Sequence, residues 1–407
     1  MPLRLRTMPI PTPLHERTAA LCQTSEWRDW SGYLAATTYQ PSHETEYYAV
    51  RNAAGLLDVS PLYKYEVNGP DAERLINRVV TRDMARCRVG QVIYSPWCDE
   101  DGKVIDDGTI ARLGPDHFRI TAADPSQRWL QDVGYGMDAD VGDVSAGLAA
   151  LALQGPNSLA ILREIFRVPE LDRMPYYHLL QTQFQGQPLS ITRTGYTGDL
   201  GYELWIAPEH AVELWDRLMA VGHGYGLLPV GLAALDMLRV EAGLLLIEVD
   251  YTSTLHARIP QQKSSPYEIG LGWTVALDKS DFIGKRALLD EKRRGSPRSF
   301  VGLEVAWKDL EALYGSVNLP PQVAGRASRI PVPLYANGKH VGQATSMSFS
   351  PILKKYIALA TVQSDFAQPG TALEFEITVE YMRRRATARV VHPPFFDPPR
   401  KKAIANG

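Results

Sequence analysis

The chain has few cysteines and no long apolar run, and both absences narrow the classes of protein to which it can belong. Three of its 407 residues are cysteine, at Cys22, Cys87 and Cys98, and their spacing is not that of a metal site. Three cysteines cannot form a disulfide framework without leaving one cysteine unpaired, so we expect reduced thiols and a cytoplasmic location. No run approaches the roughly 18 apolar residues of a membrane span, and the N-terminus has no apolar signal core. We therefore expect no membrane association.

The chain also lacks a large charge of one sign. Lys and Arg number 43 and Asp and Glu number 46, which gives a net charge of −3. Without a basic field, binding to nucleic acid is disfavoured. The composition, 45% hydrophobic and 22% charged, is that of a globular protein long enough for two or three domains.

The patterned segments fall into two regions, divided by a charged run with Gly and Pro at 291–299 that predicts a linker. Upstream, strand-like runs alternate with helical patterns such as 211–221, which predicts an α+β or α/β architecture. Downstream, short strands between turn residues are typical of a small β-barrel or sandwich. These predicted strands are 300–304, 340–346, 357–362, 373–379 and 386–391. The expected domains are 1–290, with two lobes, and 300–395.

The segment ITRTGYTGDLGYELW, residues 191–205, combines glycines, aromatics and a placed carboxylate. It predicts a strand to Thr194, a turn, and a second strand with Glu203 and Trp205 on one face. Such a segment suits a flat ligand. A carboxylate on a largely apolar strand needs a partner, and an arginine elsewhere is the alternative to a ligand.

This segment resembles the Y-T-G-E-x-G-[FY]-E signature of the aminomethyltransferase family, with Asp199 in place of the first Glu. That family contains the folate-dependent T-protein of the glycine cleavage system and its demethylase relatives. Eight further blocks match in the family's order. They are AVRNAAGLLDVS (49–60), NGPDA (68–72), DGKVIDD (101–107), LALQGP (151–156), PVGLAALDMLRVEAG (229–243), SPYEIGLGW (265–273), DFIGKRAL (281–288) and SFSP (348–351). The resemblance implies a three-lobed cloverleaf fold. Two of its lobes are α/β and bind folate, and the third is a small C-terminal β-barrel.

The resemblance also implies which residues bind the cofactor, tetrahydrofolate, which accepts the one-carbon unit. Glu203 and Arg239 match the carboxylate and arginine of the folate site, where a carboxylate can accept two hydrogen bonds from a pterin. The alternative is that these two residues pair directly as a buried ion pair. Tyr94 and Tyr196 match tyrosines that line the folate pocket, although either could belong to the core instead.

Asp107 matches the family's catalytic aspartate, beside the reactive folate nitrogen. Adjacent carboxylates on a strand point to opposite faces, so only one of Asp106 and Asp107 can serve the site. The match favours Asp107, and the reverse assignment stays open. Alignment of the nucleophile with the leaving group can supply about 7–11 kcal/mol. No metal is required, and the sequence shows no compact His, Cys and carboxylate cluster that would demand one.

The chain departs from the glycine-cleavage pattern around the implied pocket. The usual D-V-S-H-M-G reads DVSPLY at 58–63, and Ala111 stands where T-proteins resemble one another in carrying a Tyr. The segment 247–252 differs from the usual Y-G-x-D-x-D and is followed by about ten extra residues, 253–262. Whether this insertion lines the site stays open.

These departures favour an intact folate half and a rebuilt donor half. The candidate donor-side residues are Tyr251 and His256, with Trp30 and Tyr33 from an aromatic N-terminal segment. An aromatic cage could hold a methylated cation, and a Tyr or His could protonate a leaving group. The alternatives are a surface position for residues of the insertion and a core position for Trp30.

Three functions are then open. The favoured one is tetrahydrofolate-dependent demethylation of a small S-, N- or O-methyl compound, which gives 5-methyltetrahydrofolate. The second is aminomethyl transfer from a lipoylated carrier protein, which gives methylenetetrahydrofolate and ammonia. The third is a non-enzymatic folate-binding helper, and the K-G-C-Y-x-G-Q type of string found in that branch does not occur here.

Overall fold

The computed structural model describes residues 8–404. The helices are α1 (His15–Leu21), α2 (His43–Asn52), α3 (Ala72–Val79), α4 (Gln127–Val133), α5 (Ser158–Phe166), α6 (Glu170–Arg173), α7 (Ala211–Gly222), α8 (Leu232–Glu241), α9 (Lys285–Arg294) and α10 (Trp307–Gly315). Within the described part of the chain, no helix is long and apolar enough to cross a membrane.

The strands form a hairpin, two open sheets and a closed barrel. They are β1 (Glu26–Trp30), β2 (Tyr33–Thr38), β3 (Ala54–Asp58), β4 (Tyr63–Asn68), β5 (Val92–Cys98), β6 (Val104–Gly114), β7 (His117–Ala122), β8 (Asp140–Asp143), β9 (Ala149–Gln154), β10 (Leu179–Phe184), β11 (Gln187–Thr192), β12 (Gly201–Ile206), β13 (Leu227–Pro229), β14 (Arg298–Val305), β15 (Val332–Ala336), β16 (Lys339–Ser350), β17 (Lys355–Gln363), β18 (Ala372–Val379) and β19 (Met382–Val391).

The first lobe is an antiparallel sheet in the order β5-β6-β7-β4-β8, with its own apolar core. Helix α3 buries Leu75, Ile76 and Val79, a spacing that keeps one face of the helix against the core. Strands β5 and β6 pair with Tyr94 opposite Thr109, so Tyr94 is a diagonal neighbour of Asp107 on the same face of the sheet. This register places a phenol beside a carboxylate.

The second lobe is a six-stranded sheet in the order β10-β11-β12-β9-β3-β13, in which β3 and β13 form a parallel pair. The predicted alternation along β12 is confirmed. Tyr202 and Leu204 lie in the core beneath α5 and α7, and Trp205 lies in the separate core formed with α2 and α8. Glu203 shares the Trp205 side of the strand. One predicted detail differs, because β11 ends at Thr192 and Thr194 belongs to the loop that follows.

The C-terminal part is a closed barrel in the order β14-β17-β16-β15-β18-β19, rather than a sandwich. Closure leaves no strand edge unpaired. The five predicted strands lie within β14, β16, β17, β18 and β19. The sixth strand, β15, was not predicted, and it contains Pro333, a residue type that is uncommon within strands. The two α+β lobes and the barrel confirm the expected fold class.

The predicted linker at 291–299 contains the last four residues of α9 and the first two residues of β14. Helix α9 continues to Arg294 and ends at Gly295, which has a φ of +82° that favours glycine. Glu291 is buried and accepts hydrogen bonds from the hydroxyls of Ser265 and Ser296. A charged residue of this segment is therefore buried. Only residues 295–297 lie between α9 and β14.

Candidate functional site

The best-defined polar site is the Asp107 carboxylate, which two tyrosines hold. The Tyr94 hydroxyl donates to its Oδ2 at 2.5 Å, and the Tyr251 hydroxyl donates to its Oδ1. Burial raises the pKa of Asp107, although both hydrogen bonds act in the opposite direction. Burial and the neighbouring carboxylate raise the pKa of Tyr94 and of Tyr251 well above the usual value, so both phenols stay protonated and donate.

Asp106 faces the other way and has a structural role. Its Oδ2 accepts hydrogen bonds from the backbone amides of Ala123 and Asp124, both at 3.0 Å, in the turn after β7. Its Oδ1 accepts from the amide of Asp107 at 2.7 Å. Each carboxylate oxygen is therefore used by the backbone, and Asp107 is the member of the pair beside the tyrosines.

The Glu203 carboxylate is held by hydroxyl groups instead of by an arginine. Its Oε2 accepts hydrogen bonds from the hydroxyls of Thr194 and, at 3.5 Å, of Thr192. Burial raises the pKa of Glu203, while the Arg119 charge acts weakly against that shift. Among residues 8–404, Oε1 has no hydrogen-bond donor, so it can accept one from a ligand.

The loop that carries Thr194 is held by Gln154, from the LALQGP block. The Gln154 Nε2 donates to the carbonyl of Thr194 at 3.2 Å, and its Oε1 accepts from the Thr197 hydroxyl at 2.9 Å. A Cβ atom at Gly195 or Gly201 would approach Gln154 Oε1 to 2.0 or 2.1 Å. These two signature glycines are therefore needed for close packing against Gln154, which draws Thr194 away from the β11 ladder.

Arg239 does not pair with Glu203, and its guanidinium is held by other partners. Its Nη1 donates to Asp250 Oδ2 at 2.5 Å, its Nε donates to Asp236 at 3.3 Å, and its Nη2 donates to the Ser346 hydroxyl at 2.7 Å. Arg239 is fully buried, and neither a hydrogen bond nor an ion pair joins it to Glu203. Packing of α8 against β16 satisfies the guanidinium, so the alternative of a direct ion pair with Glu203 is not formed, and a shared folate site stays a prediction.

Tyr196 contacts the segment that leads to Tyr251. Its hydroxyl donates to the carbonyl of Leu245, and its ring packs against the core between α2 and α8. Burial raises the pKa of Tyr196, and the negative charge of Asp107 adds to this effect. The structure thus brings Tyr94, Tyr196 and Tyr251 close to Asp107.

The other donor-side candidates lie apart from Asp107. The imidazole of His256 is half exposed and lies between Glu248 and Asp124. Trp30 packs against the core between α2 and α8, and Tyr33 is opposite Trp30 in the β1–β2 hairpin. Neither Trp30 nor Tyr33 makes a hydrogen bond or ring contact with Tyr251 or Asp107. The structure therefore supports Tyr251 as a site residue more strongly than it supports these three.

The sequence did not predict a cleft of about 490 Å³ beside this site. Its lining includes Arg82, Tyr176, Tyr177 and Trp273. The Trp273 ring stacks with Tyr94 at a centroid distance of 6.4 Å, and the Arg82 guanidinium lies 5.3 Å from the Trp273 ring. Trp273 ends the matched block SPYEIGLGW, whereas Tyr176 and Tyr177 lie outside every matched block.

Tyr177 lines the cleft and is close enough to both carboxylates for their charges to affect its pKa. Burial raises its pKa to about 12, and the charges of Glu203 and Asp107 contribute to that rise. The cleft volume lies within the range of about 300–1,000 Å³ typical of small-molecule sites. A flat aromatic ligand could stack on these rings while its polar groups reach the carboxylates.

The Asp199 of the signature belongs to a structural charge network. Arg400 donates to its two carboxylate oxygens at 2.7 and 2.8 Å, and Arg51 lies 3.5 Å away. Arg51 also pairs with Glu241 at 2.6 Å and lies 4.1 Å from the centre of the Phe396 ring. These motif residues tie α2, α8 and the C-terminal segment together, and they lie outside the cleft lining.

Comparisons with known proteins agree with this architecture. The GCVT N-terminal domain family matches residues 12–279, and the glycine cleavage T-protein C-terminal barrel domain family matches residues 323–397. An aminomethyltransferase from Halothermothrix orenii is 37% identical over 390 residues, which covers 95% of this chain and 99% of that protein. A heme-dependent oxidative N-demethylase gamma subunit from Ectopseudomonas mendocina is 32% identical and covers 97% and 98% of the two chains. The crystal structure of the glycine cleavage system aminomethyltransferase T from Bartonella henselae superposes with a TM-score of 0.81 at 26% identity, covering 95% and 98%.

Proposed function

The chain belongs to the glycine cleavage T-protein family, and from this premise we propose that it is a tetrahydrofolate-dependent methyltransferase that demethylates a small compound. One observation carries the choice of donor. Tyr251, in the segment that departs from the T-protein pattern, donates its hydroxyl to Asp107. This hydroxyl comes from a segment that departs from the T-protein pattern and contacts the proposed catalytic carboxylate, which favours a rebuilt donor half. The three cysteines are free and buried, which suits the cytoplasm that we propose as its location.

The residues present fit tetrahydrofolate. The cleft offers the faces of Tyr177 and Trp273 to a flat ring, and Arg82 supplies a positive charge for a carboxylate tail. The open Oε1 of Glu203 can accept hydrogen bonds from a pterin amide and amine. When bound, tetrahydrofolate supplies the amine nitrogen that accepts the one-carbon unit.

Asp107 has two tasks in this scheme. Its buried carboxylate would stabilise positive charge that develops at the accepting nitrogen, and it would take the proton which that nitrogen loses. The Tyr94 and Tyr251 hydroxyls keep both oxygens in fixed directions. Arg239 has a positioning role, because it holds Asp250, which precedes Tyr251 in the chain.

Tyr251 can also serve the donor side. The electron pair of the broken bond stays on the sulfur, nitrogen or oxygen that loses the methyl group. An alkoxide or phenoxide leaving group needs a proton, and the Tyr251 phenol, which stays protonated, can supply it. A sulfonium or ammonium donor leaves as a neutral group, and Tyr251 then only orients Asp107.

The second candidate is aminomethyl transfer from a lipoylated carrier. Near-complete alignment with an aminomethyltransferase at 37% identity favours it. The name of the N-demethylase subunit, which aligns over a similar length, favours demethylation. A purely ligand-binding role is disfavoured because the named relatives are enzymes.

The test is product analysis. Purified protein and tetrahydrofolate are incubated with methylated sulfonium, ammonium, amine and methoxyaromatic compounds and, separately, with an aminomethylated lipoyl carrier, and the folate products are resolved by mass. We expect 5-methyltetrahydrofolate from one small donor, with no product in an Asp107→Asn control. Methylenetetrahydrofolate and ammonia from the carrier alone would overturn the demethylase proposal and establish the second candidate.

A further inference from the structure

Three potential metal ligands that are remote in sequence converge beside the inserted loop. Asp124 follows β7, Glu248 precedes Tyr251, and His256 lies in the insertion. The Nδ1 atom of His256 lies 3.1 Å from Glu248 Oε1 and 3.4 Å from Asp124 Oδ2. The three ligand atoms all lie within 4.8 Å of one another. No sequence spacing predicts this cluster, because its members are brought together only by the fold.

The distances suit a common ion. Zinc binds His nitrogen at about 2.0–2.1 Å and carboxylate oxygen at about 2.0–2.2 Å, so two ligands of a tetrahedral site lie about 3.3–3.5 Å apart. Both distances from His256 are close to that separation. A small movement of the half-exposed Glu248 side chain would bring the third pair of atoms into the same range. Three protein ligands leave the fourth position open to water.

The charge around the cluster also calls for a cation. Among residues 8–404, neither Asp124 nor Glu248 forms an ion pair with a lysine or arginine. The Oδ2 atom of Asp124 is buried and has no hydrogen-bond partner. Two neighbouring carboxylates therefore share one imidazole, and a divalent cation would compensate their charge.

We propose that Asp124, Glu248 and His256 bind a divalent transition metal ion, with Zn²⁺ as the best fit to this mixed nitrogen and oxygen set. The site does not depend on the proposed demethylation, because ion binding can be measured without any substrate.

The expected role of the ion is to fix the insertion against the first lobe. The amide of Asp124 donates to Asp106, the neighbour of Asp107, and the amide of Glu248 donates to the carbonyl of Tyr251 at 2.7 Å. The ion would therefore connect the backbone that carries Asp107 with the backbone that carries Tyr251. It holds these two parts together and takes no part in the group transfer.

The first experiment is calorimetric titration of the chelator-stripped full chain with Zn²⁺. We expect one ion per chain, and we expect His256→Ala and Glu248→Gln each to weaken binding by about tenfold or more. The matched control is His117→Ala, because His117 lies 3.1 Å from Glu66 but has no third ligand. This control should bind Zn²⁺ as the unmodified chain does. Absence of binding, or equal binding by His256→Ala, would show that the cluster is an ion pair only and overturn the proposal.

Two further measurements identify the site and its effect. Co²⁺ bound at the proposed site should give the visible absorption of a tetrahedral ion, and His256→Ala should lose it. Trypsin should cut after the exposed Arg258, in the insertion, more slowly when Zn²⁺ is present. Unchanged cleavage by trypsin despite Zn²⁺ binding would contradict the role of the ion in fixing the insertion.

Discussion

Two sets of buried carboxylates in this protein have different partners. Glu241 and Asp250 are each held by a buried arginine, Arg51 or Arg239. Asp107 and Glu203 are held by hydroxyls of tyrosine or threonine. An arginine neutralises a buried charge, whereas a hydroxyl only solvates it, and burial accordingly raises the pKa of both Asp107 and Glu203.

The comparison teaches how to read the family motifs. Motif arginines and their acids hold helices, barrel and C-terminal segment together, while Asp107 and Glu203, which hydroxyl groups hold, remain available to a ligand. The same rule points to Asp124 and Glu248, which also lack an arginine. Four substitutions test this division, beginning with the largest expected effect.

Asp107→Asn should remove most activity and leave the fold intact. The substitution keeps the shape of the side chain but removes the charge and the base, a change worth about 10²–10⁴-fold in turnover. The measurements are the initial rate of folate product formation and the thermal unfolding temperature. Asp106→Asn is the matched control, because its carboxylate accepts three backbone amides and its loss should lower stability instead. Full activity in Asp107→Asn would remove the site assignment.

Arg51→Met should instead destabilise the fold. It leaves the buried carboxylates of Glu241 and Asp199 without this cation, and breaking a buried pair typically costs about 3–5 kcal/mol of unfolding free energy. Denaturant unfolding measures the loss. Arg17→Met, which removes an exposed ion pair with Asp216, should unfold as the unmodified chain does. A variant that unfolded normally but lost turnover would break the division between the two sets.

Tyr251→Phe should slow the reaction by about tenfold to hundredfold, the value of one hydrogen bond to a charged group. The lost hydroxyl favoured the ionised form of Asp107, so the pKa of Asp107 should rise further. If the ionised carboxylate is the active form, the acidic limb of the pH–rate profile moves to higher pH. Tyr314→Phe, in the barrel region, is the control and should leave the profile unchanged. An acidic limb that stays in place in Tyr251→Phe would contradict the proposed contact.

Glu203→Gln should weaken tetrahydrofolate binding by about tenfold, since one charge-assisted contact becomes neutral. Titration of the intrinsic tryptophan fluorescence, to which Trp273 in the cleft contributes, measures the dissociation constant. Asp199→Asn is the matched control within the same signature, because Asp199 is paired with Arg400 and Arg51. It should lower stability without changing folate affinity, and the opposite pattern would mean that the roles are exchanged.

The local sequence pattern was sufficient to predict the direction of a side chain where strand alternation alone decides it. The opposite directions of Asp106 and Asp107 follow from strand alternation, as do the opposite faces of Glu203 and Leu204. The five predicted barrel strands were found by the same rule. The rule did not find β15, in which Pro333 pairs opposite Gln343 in the closed barrel.

The sequence by itself determined the family and the order of the lobes and the barrel, and it predicted Asp107 as the catalytic carboxylate. Only the tertiary structure decided which charged residues pair with each other. The sequence alone left the partner of Arg239 open. Packing of α8 against the barrel pairs this arginine with Asp250. The aromatic cleft and the cluster of Asp124, Glu248 and His256 likewise combine residues far apart in the chain. Sequence periodicity describes one element at a time, whereas a site is formed where several elements pack together.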